Sequence, residues 1–198
     1  DGAGGGTGMS PWRMMNEWGM PPVELHSLLY QYTKRLADKG EYVAPLALAG
    51  GFTFEDHIFK GLALGAPFVK LIGMARSPIA AVMVGKTIGM AIDGHQLPVY
   101  VERFGQTRDE IFVTAGELRE EIGDKEFEAL PAGAIGLYTY YERLAQGLRQ
   151  LMCGSRKFSP EYISRDDIAA LTPVAANISG IQYIMDVGKE EVEEILNS

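Results

Sequence analysis

Apolar positions recur along this chain in two periods, one helical and one extended. Val23, Leu25, Leu28, Leu29, Tyr32 and Leu36 fall at helical spacing, and Gly40 is the stop. Before them, residues 11–18 predict a short helix that ends at Gly19-Met20-Pro21-Pro22. Residues 42–49 form a short apolar run closed by Gly50-Gly51, which predicts a buried strand despite the ladder donor lost at Pro45. Residues 54–64 return to the helical period: Phe54, Ile58 and Leu62 share a face, and Glu55 and Asp56 suit the first turn. Gly65 closes that helix, and residues 68–72 predict a second buried strand ended by Gly73. Strand, glycine turn, helix, glycine, strand, with a repeat of about 25 residues, is the pattern of parallel βα units. The next predicted helix, residues 78–92, is rich in Ala, Met and Gly, which implies close packing.

Beyond Asp93 the pattern is helical. Residues 107–122, 134–152 and 189–196 predict helices, and Leu137, Tyr141, Leu144, Leu148, Leu151 and Met152 lie along one face of the second. Residues 160–163, 165–171 and 173–178 are short helical candidates, and residues 183–187 predict a short strand or an extended arm. The organisation expected is therefore α/β, with βα units in residues 1–92 and a helical extension in residues 93–198.

Composition narrows the classes of function. Lys and Arg number 18 against 26 Asp and Glu, a net charge of −8, which argues against a nucleic-acid binder that needs a basic face. A single cysteine, Cys153, excludes a disulfide within the chain and a cysteine-ligated zinc or iron–sulfur site made by this chain alone. Cys153 itself is expected to be a buried hydrophobe. No apolar run approaches the roughly 20 residues of a membrane span, and no leader-like segment is seen. Glycine is abundant, 24 residues in clusters. One cluster, Asp1-Gly2-Ala3-Gly4-Gly5-Gly6-Thr7-Gly8, has no strand in front of it, so a front portion is expected to be missing.

Two glycine turns carry the candidate chemistry: Gly50-Gly51 and Gly73-Met74-Ala75-Arg76, each at the end of a predicted parallel strand. Such turns expose backbone N–H groups and helix N-termini that hold an anion, glycine permits close backbone approach, and Arg76 can add a bidentate contact. The same spacing also fits ordinary tight βα turns with Arg76 as a solvated charge. His26, His57 and His95 are dispersed, outside any metal-ligand spacing, and are read as packing or surface residues. The acidic pairs Glu120-Glu121, Glu190-Glu191 and Glu193-Glu194 read as solvated helix faces. The methionines Met14, Met15, Met20, Met83 and Met90 read as core or interface.

The run Asp1 to Gly8, then Gly19-Met20-Pro21, Leu48-Ala49-Gly50-Gly51 and Ala63-Leu64-Gly65-Ala66 resembles the FMN-binding domain of glutamate synthase. Tyr141-Glu142-Arg143-Leu144, Arg156-Lys157-Phe158 and Ser164-Arg165-Asp166-Asp167 resemble the C-terminal extension of its short, FMN-only, archaeal-type members. The resemblance covers most of the chain. It implies the C-terminal portion of a (β/α)8 TIM barrel, about strands 6 to 8, with a helical extension.

In that frame Gly5, Gly6 and Thr7 follow strand 6, near the flavin and the 2-oxoglutarate pocket. Gly50 and Gly51 follow strand 7. Gly73, Met74, Ala75 and Arg76 follow strand 8 and cradle the FMN phosphate. The implied reaction reduces 2-iminoglutarate, formed from 2-oxoglutarate and ammonia (free or glutamine-derived), to L-glutamate; the implied compartment is the cytoplasm. No catalytic residue and no metal ligand is assigned. The sequence departs from the family at four points. Ala49 stands where related barrels often have Asp, and Gly4 stands where many have an acid. The iron–sulfur cysteines of the larger enzymes are absent. Strands 1 to 5 are missing too, with their flavin-ring contacts and active-site lysine. The barrel is therefore expected to need its N-terminal half or another subunit. The alternatives are an N-methylglutamate synthase-like flavin subunit and a non-catalytic partial barrel that acts as an assembly partner.

Overall fold

In the computed structural model, which describes residues 1–2, 11–13 and 17–198, the chain is mixed α/β, mostly helical, with two short parallel strands. The predicted helix over residues 11–18 and the loop residues Gly4, Gly5, Gly6, Thr7 and Gly8 lie partly or wholly outside the described residues.

Helix α1, Pro22–Asp38, starts on a proline that needs no N–H donor there and carries Glu24 in its first turn. The helix falls where the apolar period placed it, but the buried face differs. His26, Ser27 and Thr33 are buried, whereas Val23, Leu28, Tyr32 and Leu36 are exposed. Burial of the two hydroxyls is offset because each donates to the carbonyl one turn back, Ser27 to Val23 at 2.6 Å and Thr33 to Leu29 at 2.7 Å.

Strand β1, Leu46–Ala49, is half the length expected. Pro45 immediately precedes it, and Tyr42 is exposed. Helix α2, Glu55–Leu64, crosses over and buries Phe59, Ala63 and Leu64. Strand β2, Val69–Gly73, then pairs parallel with β1, with Leu48 opposite Ile72 and Ala49 opposite Gly73.

Helix α3, Arg76–Asp93, follows, then the short α4, Val99–Glu102. The predicted helix over residues 107–122 is two: α5, Arg108–Ile111, and α6, Ala115–Ile122. Thr107 and Glu110 form a capping box at the start of α5, and the extended backbone of Phe112 ends it. That break buries the Phe112 ring in the core. Helix α7, Asp124–Ala129, precedes the long α8, Ala132–Gly154. Single 3-10 turns occupy Pro160–Tyr162 and Arg165–Asp167, so the expected helix over residues 165–171 is only one turn long. Helix α9, Pro173–Ser179, ends on left-handed Gly180. Tyr183 makes one isolated parallel bridge to Ala170 rather than a strand. Helix α10, Lys189–Asn197, is last.

By contacts the chain divides into two units. One holds Asp1–Met74 with Leu148–Ser198, and the other holds Ala75–Gly147. In the first, Phe59, Ala63, Met152 and Ile163 form one apolar cluster, and Leu64, Ala170 and Ile181 another. Met152 takes the inward position at the end of α8, which turns Cys153 outward: the cysteine is exposed, not buried. The Arg165 guanidinium lies 3.8 Å from the Tyr30 ring centroid and donates to the carbonyls of Leu64 and Ser179. In the second unit, Phe112, Ala115, Leu118, Phe127, Ala132 and Ile135 form the core. There α3 and α8 cross on glycines: a Cβ at Gly85 would lie 2.8 Å from the Ala132 carbonyl oxygen, and one at Gly89 2.3 Å from Ala132 Cβ. Among the described residues no helix is long and apolar enough to cross a membrane.

Candidate functional site

The site begins where β1 ends. Gly2 N–H donates to the Ala49 carbonyl at 3.1 Å, and Ala49 lies opposite Gly73 in the parallel pair. Gly2, the end of β1 and the end of β2 therefore lie side by side at the C-terminal end of the sheet. In parallel α/β sheets that end is where ligands bind.

The Gly50-Gly51 turn requires glycine. Gly50 has φ +121° and Gly51 φ +77°, a region that side-chain-bearing residues rarely enter. A Cβ on Gly50 would also come within 2.9 Å of Gly2 N, so this glycine permits the close approach of the first segment. A Cβ on Gly51 would meet nothing within 4 Å, which leaves that peptide open on its outer side. At Gly73 a Cβ would lie 3.2 Å from Ala49 Cβ, tight enough to disturb the pairing.

The structure thus brings Gly50, Gly51 and Gly73 to one sheet end, and Met74 follows directly. Ala75 precedes α3 and Arg76 opens it, both in the second unit. The α3 first turn contains no acidic residue, so nothing in it opposes an anion at the helix start. Gly5, Gly6 and Thr7 lie outside the described residues.

Beside the Gly50-Gly51 turn lies a pocket of about 240 Å³. Val23, Phe52 and Leu64 give it apolar walls, and His26, His57 and Lys60 contribute its polar groups. His26 is only 4% exposed and stacks on Phe52 with ring centroids 5.8 Å apart and 13° between planes. Burial pushes its pKa down, a hydrogen bond to the Ala49 carbonyl opposes that shift, and the positive N-terminus adds to it. The neutral ring donates to that carbonyl, and its Nε2 has no hydrogen-bond partner among the described residues. His57 Nδ1 accepts from Thr53 N–H at 3.3 Å, and its Nε2 lies 4.0 Å from Asp56 Oδ1. Lys60 is held by Asp56 at 2.7 Å, and that contact keeps the Asp56 carboxyl below the usual carboxylate range.

Sequence reasoning set both histidines aside. They lie 31 positions apart, and nothing in their spacing relates them. The only hint is that His26 shares the polar face of α1 with Ser27 and Thr33, a face whose burial is set by tertiary packing. Among the described residues no group of three His, Cys, Asp or Glu side chains is placed to hold a metal ion. No family model, no curated protein and no solved structure matches this chain.

Proposed function

We propose that the chain is part of an FMN-dependent oxidoreductase of glutamate synthase type, its βα units being the last portion of a (β/α)8 barrel. The observation that carries the reading is the side-by-side placement of Gly2, the Gly50-Gly51 turn and Gly73 at one sheet end. Consecutive strands of a parallel barrel present their glycine turns in this order, and phosphate sites of such barrels use the turns after the last strands.

The residues fit a flavin phosphate. Gly51 offers an unobstructed peptide and Gly50 a turn that only glycine adopts without strain. In this reading Gly50, Gly51, Gly73, Met74, Ala75 and Arg76 hold the phosphate, and Gly5, Gly6 and Thr7 lie toward 2-oxoglutarate. FMN, when bound, supplies the hydride chemistry that converts 2-oxoglutarate and ammonia to L-glutamate. The chain's own groups bind and orient: backbone N–H donors and the α3 start neutralise the phosphate, with Arg76 as the charged partner. Ala49 offers the flavin no polar side chain, so binding at this edge falls to the backbone. Together with the exposed apolar stripe of α1, the reading calls for further strands from an N-terminal half or a second subunit.

The test is anaerobic flavin titration of the chain, alone and with a complementing barrel half, followed by reoxidation of the reduced complex with 2-oxoglutarate and ammonium. Tight FMN binding and reoxidation that needs both substrates are the expected results. Failure to bind FMN in either form would overturn the reading. Dependence on methylamine in place of ammonium would shift it to the N-methylglutamate enzyme.

A further inference from the structure

We infer that α10 of one copy of this chain docks in an apolar groove of a second copy, and that the exchange is reciprocal. The helix comes first. Val192, Ile195 and Leu196 fall at i, i+3 and i+4 and so share one face, while Glu190, Glu191, Glu193 and Glu194 lie off it. Every residue from Lys189 to Ser198 is exposed, Ile195 and Leu196 to 73% and 74%. A lone helix shorter than roughly 12–15 residues is marginal in water, and most helical stability comes from packing an amphipathic face. A nine-residue α10 that buries nothing therefore needs a surface.

The groove comes second. Val23, Leu64, Ile168, Leu171 and Ile181 give it apolar walls, and its volume is about 560 Å³. A cavity of about 150 Å³ admits one benzene ring, so on that scale the groove takes three branched side chains. Its charge also matches. No acidic residue lines it, and its one ionisable lining residue is Lys60, whose side chain is 63% exposed beside Asp56. The helix brings four glutamates against one lysine. An apolar stripe flanked by acids, facing an apolar groove with a basic rim, is the helix-in-groove mode of recognition.

The link between the two selects a second copy over the same chain. Ala170, in the groove wall, donates to the Gln182 carbonyl and accepts from Ile184 N–H, each at 2.9 Å. Gln182 Nε2 donates to the Asp186 carbonyl at 3.0 Å, and Asp186 N–H donates to the Tyr183 carbonyl at 2.9 Å. The chain is thus tied down through Asp186. Only Val187 and Gly188 then precede α10, and two residues span at most about 7 Å. The link delivers α10 clear of its own groove. A groove and a helix on every copy make a self-complementary pair, which a two-fold axis closes as a dimer. The inference stands apart from the flavin reading, since no residue of the groove or of α10 is assigned to FMN.

The experiment is light scattering on the full chain and on two variants, Leu171→Glu in the groove and Ile195→Glu on the helix. Both positions are exposed, 76% and 73%, so the fold and its circular dichroism should be kept. Each variant should weaken association at least about tenfold, the worth of one branched side chain buried, and run lighter than the parent. Their equimolar mixture should regain mass, because the intact α10 of the groove variant meets the intact groove of the helix variant. Leu71→Lys, outside the groove, should leave that recovery intact. Lys60→Glu should weaken association too, most at low salt. A single-chain mass in the parent, parent mass in any of Leu171→Glu, Ile195→Glu or Lys60→Glu, or a mixture no heavier than its components would each overturn the inference. The last of these with lowered melting temperatures would place α10 on its own groove instead.

Discussion

His26 holds a proton-dependent part of this fold. In the unfolded chain it titrates near its ordinary value of 6.5, and in the folded chain burial lowers that value. The folded state therefore binds fewer protons than the unfolded state just below neutrality. The stability His26 contributes is complete above about pH 6.5 and is lost as pH falls. Asp56 and Asp109, held below the usual carboxylate range by Lys60 and Arg119, add their losses only at lower pH. The melting temperature should fall between pH 7 and pH 5, and that slope should flatten in His26→Phe. Identical slopes in thermal melts of the two proteins would refute a buried neutral His26. The second prediction at this scale concerns Arg76 and Gly51. A charge-assisted hydrogen bond contributes about 1.5–3 kcal/mol, so Arg76→Ala should weaken FMN binding roughly 10- to 100-fold. Gly51→Val should weaken it more, because φ +77° is closed to a β-branched residue. Fluorescence quenching on FMN titration checks both; parent affinity in both variants would return Gly50-Gly51 and Gly73 to ordinary turns.

At the scale of elements, the α3–α8 crossing sets the most demanding packing in the second unit. Gly85 meets the backbone of Ala132, Gly133 and Gly136, and a Cβ at Gly136 would lie 3.0 Å from both the Ala81 carbonyl oxygen and Gly85 Cα. Backbone cannot rotate away as a side chain can. Gly85→Val should therefore destabilise by at least the roughly 1–3 kcal/mol typical of overpacking. Gly116, in α6, faces open space, with nothing within 4 Å of a Cβ there. Gly116→Ala should stabilise by about 0.4–1 kcal/mol through lower unfolded-state entropy and better helix propensity. Urea titrations of the pair test the contrast, and a neutral Gly85→Val would show that the helices do not cross there. The Ala, Met and Gly content of residues 78–92 announced this close approach in sequence. The split of residues 107–122 was not announced, because the pattern there is continuously helical. What breaks it is the burial of Phe112, a tertiary gain that local periodicity does not carry.

For the whole molecule, the βα order was legible because glycine turns, acidic first turns and apolar runs agreed with one another. The direction in which α1 faces was not. Its apolar residues mark a helix, yet Val23, Tyr32 and Leu36 are 51%, 59% and 47% exposed. Gly50, Gly51 and Gly73 were legible as strand-end turns; the His26 pocket was not, since only folding brings His26, Phe52 and His57 together. The outward stripe of α1 recurs elsewhere in the first unit. Leu71 in β2 is 65% exposed, and β1 and β2 are four and five residues long in a two-stranded sheet. A pair of strands that short is marginal without further strands or covering helices. A second groove of about 560 Å³, lined by Val23, Leu64, Leu171 and Ile181, adds apolar surface of the same kind. The chain should therefore associate, or bind an apolar dye strongly, at micromolar concentration. Light scattering should give a mass above the 21.6 kDa of one chain, and Leu71→Lys should lower that mass while leaving the far-ultraviolet circular dichroism unchanged. A single-chain mass across the concentration range, with a cooperative melt and no dye binding, would mean that these surfaces are tolerated in water and that no further strands are needed.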